Sequence, residues 1–242
     1  MTLKGSDMSQ YAKKMWTPQG FFADHRMVFR HLPQIAGAYI GPNAVDPELN
    51  EAVMVTVNSV NSCPYCEGLH GQLARMAGVD DPDQLMSAKS LAECTKVVDD
   101  PAIIYARTFA EQDGRGAIEE QAFHSLAAST DAGFARSIRA LCWFLLWGSI
   151  GGNTLNGFFS RLAGRKKAGS YVLFEILFTA YYGLLFLIIA GVNALLKFVP
   201  RVPKWFSAMF GMVLTVIAGT WITLPGLLAQ IIPAKPRILP HG

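Results

Sequence analysis

Residues 51–78 read EAVMVTVNSVNSCPYCEGLHGQLARMAG. Cys63 and Cys66 form a Cys-x-x-Cys pair, with His70 four residues after the second thiol and Glu51 twelve residues before the first. Just upstream, Asp46-Pro47-Glu48 is a helix start: a capping carboxylate, a proline suited to the first turn, and a negative charge at the positive end of the dipole. Val53, Val57 and Val60 then keep helical spacing, although the β-branched run 53–57 also fits a strand. A second helix is expected from about Cys63-Pro64 to Gly78, a natural C′ glycine. On it Cys63, Cys66 and His70, three and four residues apart, share one face. The cysteines fall in the first turn, where unpaired N–H groups and the dipole favour a thiolate. His70 is placed to take a proton from Cys66, and antiparallel packing of the two helices brings Glu51 back beside the thiols as a second proton carrier.

Outward from this stretch the pattern stays helical. Residues 21–29 lead into 31–39, a segment broken at Pro33 and again at Gly41-Pro42. Further helices are expected over 82–89, 100–112, 118–128 and 131–147, punctuated by Gly114-Arg115-Gly116 and Ser129-Thr130. No strand–turn–strand alternation, phosphate-binding glycine loop or internal repeat is visible. The fold class expected is all-α.

Residues 176–196 and 205–232 carry no charge over 21 and 28 positions. About 20 apolar residues cross the hydrocarbon layer of a membrane. The link 197–204 is short enough for a hairpin, and Tyr171, Phe198 and Trp205 sit where an interface favours aromatic rings. The organisation expected is therefore a helical domain over 1–165 and two transmembrane helices over 171–198 and 205–232. Arg161, Arg165, Lys166, Lys167, Lys235 and Arg237 outnumber the three basic residues of the link, which orients domain and tail inward. The stretch 1–16 has no apolar core of a signal peptide, in agreement. Ser207, Gly211, Thr215, Gly219 and Thr223 recur every fourth position and are expected to form a packing seam, with Pro225 kinking the helix beyond it.

The charge splits the chain as well. Residues 1–160 hold 12 Lys/Arg against 17 Asp/Glu, and 161–242 hold 9 against 1. A mildly acidic first part excludes a broad nucleic-acid surface there. Cys94 and Cys142 sit in apolar surroundings and read as buried small hydrophobes. A c-type haem needs histidine directly after the second cysteine, and here that residue is Glu67. Structural zinc needs four ligands; Cys63, Cys66 and His70 would need a fourth from Glu51 or His124, and no second ligand pair is spaced for it. A thioredoxin fold would place the cysteines after a strand. No metal and no cofactor is expected. His124 reads as a surface residue, His25 and His31 as packing or solvent-facing residues, and Trp143 and Trp147 as core.

Glu51, eleven residues, Cys63-Pro64-Tyr65-Cys66, three residues and His70 resembles the signature of the AhpD-like alkylhydroperoxidase / carboxymuconolactone decarboxylase superfamily. His31-Leu32-Pro33, Leu49-Asn50-Glu51 and the run from Gln72 to Gly78 resemble its flanks. The resemblance covers about 20–160 and leaves out the membrane hairpin. It implies an all-α domain that assembles as trimers or hexamers. It also implies peroxidase chemistry in which Cys66 attacks a hydroperoxide, Cys63 resolves the sulfenic acid as a disulfide, and His70 and Glu51 relay protons. The reductant implied is a lipoyl or thioredoxin-like dithiol. The decarboxylase branch lacks the cysteine pair, so its reaction is disfavoured. Some peroxidase members carry a histidine before the second cysteine, where this chain has Tyr65. The function expected is a membrane-anchored thiol peroxidase at the inner face of a bacterial membrane; the alternative is an accessory subunit of a larger membrane complex.

Overall fold

Asp46 starts the central helix of the fold. In the computed structural model its carboxylate accepts the Glu48 N–H at 3.0 Å and opens α2 (Pro47–Asn61). The structure describes residues 13–165, 167, 170–199 and 202–232. Val53, Val55 and Val57 are fully buried, because α2 is surrounded by other helices. The β-branched run is thus the core of a helix and not a strand. Ser62, in the left-handed region at φ 54°, reverses the chain into α3 (Pro64–Ala77), and Gly78 closes that helix at φ 103°.

The described residues form ten helices and no strand. The others are α1 (Pro18–Gly37), α4 (Pro82–Ser87), α5 (Leu91–Val97), α6 (Pro101–Glu111), α7 (Ala117–Ser129), α8 (Ala132–Leu162), α9 (Val172–Leu196) and α10 (Lys204–Ile231). Around α2 lie α3, α4, α6 and α8, and α1 crosses α8.

Two expected breaks are absent. Pro33 lies inside α1, which continues to Gly37. An interior proline costs about 3 kcal/mol, and the packing of α1 on both α8 and α10 outweighs that cost. Likewise α8 does not stop at Trp147. It runs through Gly148, Gly151 and Gly152 to Leu162. The last two glycines are points of close approach: a Cβ at Gly151 would meet Trp16 and Phe186 at 3.2 and 3.1 Å, and one at Gly152 would meet the Cys63 sulfur at 2.5 Å.

α9 and α10 are each long and apolar enough to cross a membrane. They share little surface with each other. α9 packs on α3 and α8, and α10 packs along α1. The hairpin expected from the short link is therefore opened out over the preceding helices. Phe178, Tyr182, Leu185 and Phe186 of α9 join the main core. Arg161 holds the buried Glu175 through two contacts, 2.7 and 2.9 Å. α10 is tied at both ends. Lys204 meets Asp46 at 3.0 Å, and Arg26 of α1 donates to the Ala229 and Ile232 carbonyls, each at 2.7 Å.

The small-residue seam also differs from its expectation. Ser207, Gly211 and Thr215 are buried, but the buried stripe continues at Ala218, Ile222, Gly226 and Ala229, while Thr223 is exposed. Four residues of helix turn about 400°, so a strict fourfold spacing drifts by about 40° per step and leaves the face. The partner of the seam is α1 and the turn that follows it, through Phe29 against Gly226 and Tyr39 against Gly211. Lys166, Arg201, Lys235 and Arg237, on which the orientation partly rests, lie outside the described residues.

Candidate functional site

Cys63 is the N-cap of α3 and so precedes its first turn. Its sulfur accepts the Cys66 N–H at 3.3 Å, the role a serine or aspartate oxygen fills at other helix starts. Asn58 at the end of α2 fixes the residue from both sides. The Cys63 N–H donates to Asn58 Oδ1 at 3.1 Å, and Asn58 Nδ2 donates to the Cys63 carbonyl at 3.3 Å. Cys63 is fully buried against Gly152 of α8.

Cys66 lies one turn in, beside Ser149 of α8, and borders a cavity of about 70 Å3. Neither cysteine is bonded to another. Burial, reinforced by the neighbouring Cys63, pushes the Cys66 thiol well above the usual range. The helix dipole, which on sequence grounds favours a thiolate here, is outweighed for Cys66 by desolvation, and the thiol needs a base.

A histidine lines the same cavity. His70 Nδ1 lies 2.9 Å from Glu51 Oε2, and both residues line the same cavity as Cys66. With Glu51 as a carboxylate, Nδ1 carries the proton and donates it, so Nε2 presents its lone pair. Glu51 is 4% exposed and comes from α2, which packs on α3. The structure therefore brings Cys63, Cys66, His70 and Glu51 together.

Two polar groups at the cavity carry no signal in the motif. The Tyr39 hydroxyl, just after α1, stands beside Thr215 of α10, and Glu51 is a near neighbour. Burial first, and the Glu51 charge second, push Tyr39 up to about 12, which keeps it a neutral donor. Both residues come from elements remote from the cysteines in sequence, so spacing could not reveal them. His124 is exposed on α7 near Glu120, at 3.5 Å, and cannot complete a zinc site with the cysteines. Among the described residues no cluster of three or more His, Cys, Asp or Glu side chains is arranged to hold a metal ion.

The rest of the cavity wall is apolar: Leu69 and Leu73 of α3, Phe144 of α8, Phe186 of α9 and Leu214 of α10 among others. A water needs about 10–15 Å3. The space therefore admits a small oxygenated group with the carbons beside it.

Residues 28–112 match the carboxymuconolactone decarboxylase family. No curated protein and no solved structure matches the chain. The matched segment contains Tyr39, Glu51, Cys63, Cys66 and His70 and ends just after α6. The remaining walls of the cavity come from α8, α9 and α10, all beyond the matched residues. The chemistry-bearing residues thus sit in the family segment, and the shape of the space before them is set by the three long helices C-terminal to it.

Proposed function

We propose that this chain is a membrane-anchored thiol peroxidase that reduces organic hydroperoxides. The observation that supports it best is the pairing of His70 with Glu51 at 2.9 Å on the cavity that Cys66 borders, with the Cys63 sulfur at the N-cap of the same helix. His70 Nε2 accepts the Cys66 proton, and Glu51 stabilises the imidazolium formed. The Cys66 thiolate attacks the terminal oxygen of a hydroperoxide. The O–O bond breaks, the sulfur becomes a sulfenic acid, and the alkoxide leaves as alcohol with the proton held by His70. The Cys63 thiol then attacks that sulfur, expels water and closes a disulfide. An external dithiol of the lipoyl or thioredoxin-like class reduces the disulfide by exchange.

Cys66 takes the attacking role because it borders the cavity, whereas Cys63 is sealed behind it. Tyr39 donates to the departing oxygen.

The outer faces of α9 and α10 support the anchor. Leu173, Leu177, Leu184, Leu187 and Leu195 on α9, and Met209, Val213, Val216, Leu224 and Leu227 on α10, are exposed at helical spacing. Apart from the buried Glu175, no charged residue lies within either stretch. We place the protein in a bacterial cell membrane, as a homo-oligomer. The same stripes also fit a second reading, a subunit docked in a larger membrane complex.

Hydroperoxide consumption by the full chain with dihydrolipoamide tests the proposal. Turnover lost in Cys66→Ser supports it, and turnover unchanged in that variant overturns it. A fixed stoichiometric partner retained in mild detergent, with no turnover in either protein, favours the second reading.

A further inference from the structure

Half-buried Ile188 and Ile189 of α9 face half-buried Leu214 and Ile217 of α10 across the cavity that ends at Cys66, His70 and Glu51. The gap between the two helices is bounded on both sides. Toward one end, Trp221 Nε1 donates to the Tyr181 carbonyl at 3.1 Å, and the Tyr181 hydroxyl donates to the Trp221 carbonyl at 3.1 Å. Toward the other, Leu196 of α9 and Phe206 and Phe210 of α10 close on Leu69 and Met76 of α3, and Ile189 and Leu214, at the edge of the gap, pack on the same cluster. Between these two contacts α9 and α10 share little surface, and the residues of both that line the cavity there, Ile188, Ile189, Leu214 and Ile217, are aliphatic and half-buried. Outside the gap lie the exposed apolar stripes of the same helices, at Leu184, Leu187, Val213 and Val216.

The gap has a definite depth. Leu214 and Ile217 are ten and thirteen residues into α10, roughly 15–20 Å along its axis at 1.5 Å per residue. Ile188 is eight residues from the end of α9, about 12 Å by the same rise. Both helices reach the link at that end. A hydrocarbon layer is about 30 Å thick, so the opening falls near its middle. A lipid headgroup cannot lie at that depth, because no charged or donor group lines the opening to replace its water. The middle of an acyl chain lies there by default.

We propose that the gap between α9 and α10 is a lateral port through which an acyl chain carrying a mid-chain hydroperoxide reaches Cys66 directly from the hydrocarbon layer. This rests on the peroxidase reading for its chemistry and on the structure for its route. The polar groups meet the oxygens at the inner end: Cys66, His70, Glu51, Tyr39 and Thr215. The apolar walls hold the carbons on either side. The substrate class is then a membrane-borne acyl hydroperoxide, selected against small water-borne peroxides by the wall and not by the thiol.

The test does not depend on turnover. Full-length Cys63→Ser protein is placed in phosphatidylcholine vesicles; serine still caps α3 because its oxygen accepts the Cys66 N–H. It is treated with hexadecyl methanethiosulfonate, which stays in the bilayer, or with the charged sulfonatoethyl reagent, which stays in water. Each transfers its thioalkyl group to the Cys66 sulfur and releases methanesulfinate, and peptide mass spectrometry reads the adduct. Modification by the hexadecyl reagent is expected to be faster by about tenfold or more. Leu214→Trp and, from the opposite side, Ile188→Trp should each slow the hexadecyl reagent about tenfold. The small neutral methyl reagent, which checks that the site is intact, should keep its rate. The port is wrong if the charged reagent is as fast as the hexadecyl one, if the hexadecyl reagent does not reach Cys66, or if both tryptophan variants leave the hexadecyl rate unchanged. Labelling through the port with no hydroperoxide consumed by the unmodified protein would leave the route standing and remove the peroxidase reading.

Discussion

Gly152 of α8 lies so close to Cys63 that a Cβ on the glycine would stand 2.5 Å from the sulfur. The cysteine motif and the long helix are therefore fitted to each other, although nearly ninety residues separate them in the chain. Gly152→Ala is expected to push Cys63 off the N-cap or α8 off α3. Overpacking of this kind costs about 1–3 kcal/mol. The check is a lowered melting temperature together with slower closure of the Cys63–Cys66 disulfide after peroxide.

The pH dependence of the attacking thiol derives from its burial. Because Cys66 is held above the ordinary thiol range, its thiolate fraction is small at neutral pH and grows as pH rises. The midpoint of Cys66 alkylation by iodoacetamide in Cys63→Ser protein should lie above about pH 8.5, the midpoint of an ordinary thiol. A plateau below that value would contradict the burial. His70→Gln should lower the rate at pH 7 far more than at pH 10, since hydroxide replaces the lost base.

His25 provides a separate, structural response to acid. Its Nδ1–H donates to the Phe21 carbonyl at 2.7 Å, Trp147 Nε1–H donates to Nε2 at 2.8 Å, and the Tyr182 hydroxyl of α9 is 2.6 Å from the same nitrogen. Burial lowers its pKa from 6.5 to about 4. The unfolded chain therefore binds this proton before the folded one does. The stability contributed by neutral His25 is complete above pH 6.5 and is lost as pH falls toward 4. Its full size is roughly 3 kcal/mol. Denaturant titrations at pH 7.5 and 4.5 should show a loss of this order that is much reduced in His25→Phe.

The glycines of α10 should separate by neighbour. A Cβ at Gly211 would meet Tyr39 at 2.6 Å and one at Gly226 would meet Phe29 at 2.7 Å, whereas at Gly219 the nearest atom is 4.0 Å away. Gly211→Ala and Gly226→Ala should destabilise the α1–α10 contact. Gly219→Ala should be neutral or stabilising by up to about 1 kcal/mol, the helix preference of alanine over glycine. Thermal unfolding in detergent measures all three.

Arg26 should matter to α10 as a cap. Arg26→Met keeps much of the stem but leaves the Ala229 and Ile232 carbonyls without their donor. Hydrogen bonds to a charged group are worth about 1.5–3 kcal/mol. Amide exchange in the last turns of α10 should rise while α2 and α3 stay protected.

The features legible in the sequence are local ones. Asp46, Pro47 and Gly78 mark the ends of α2 and α3 with their own side chains or backbone freedom, and the thiols, His70 and Glu51 are placed by those two helices. The hidden features depend on distant partners. Gly151-Gly152 reads as a break until Trp16, Cys63 and Phe186 are seen pressed against it. Pro33 reads as a stop until α8 and α10 are seen holding α1 on either side. Tyr39 and Thr215 reach the cavity only because α10 lies along α1. The apolar runs announce their length and composition plainly, but not which earlier helix each one covers.

The clasp between Arg26 and the end of α10 joins residues 203 positions apart. A ribosome delivers the thiols, the imidazole and the carboxylate long before it delivers the helices that cover them. Until α9 and α10 emerge, the nascent chain carries an apolar trough that is open at Cys66. Such surface is prone to aggregation and to premature oxidation. α10 thus seals chemistry that is made well before it. Maturation of the site therefore waits on the docking of α9 and α10 and not on folding of the matched segment alone.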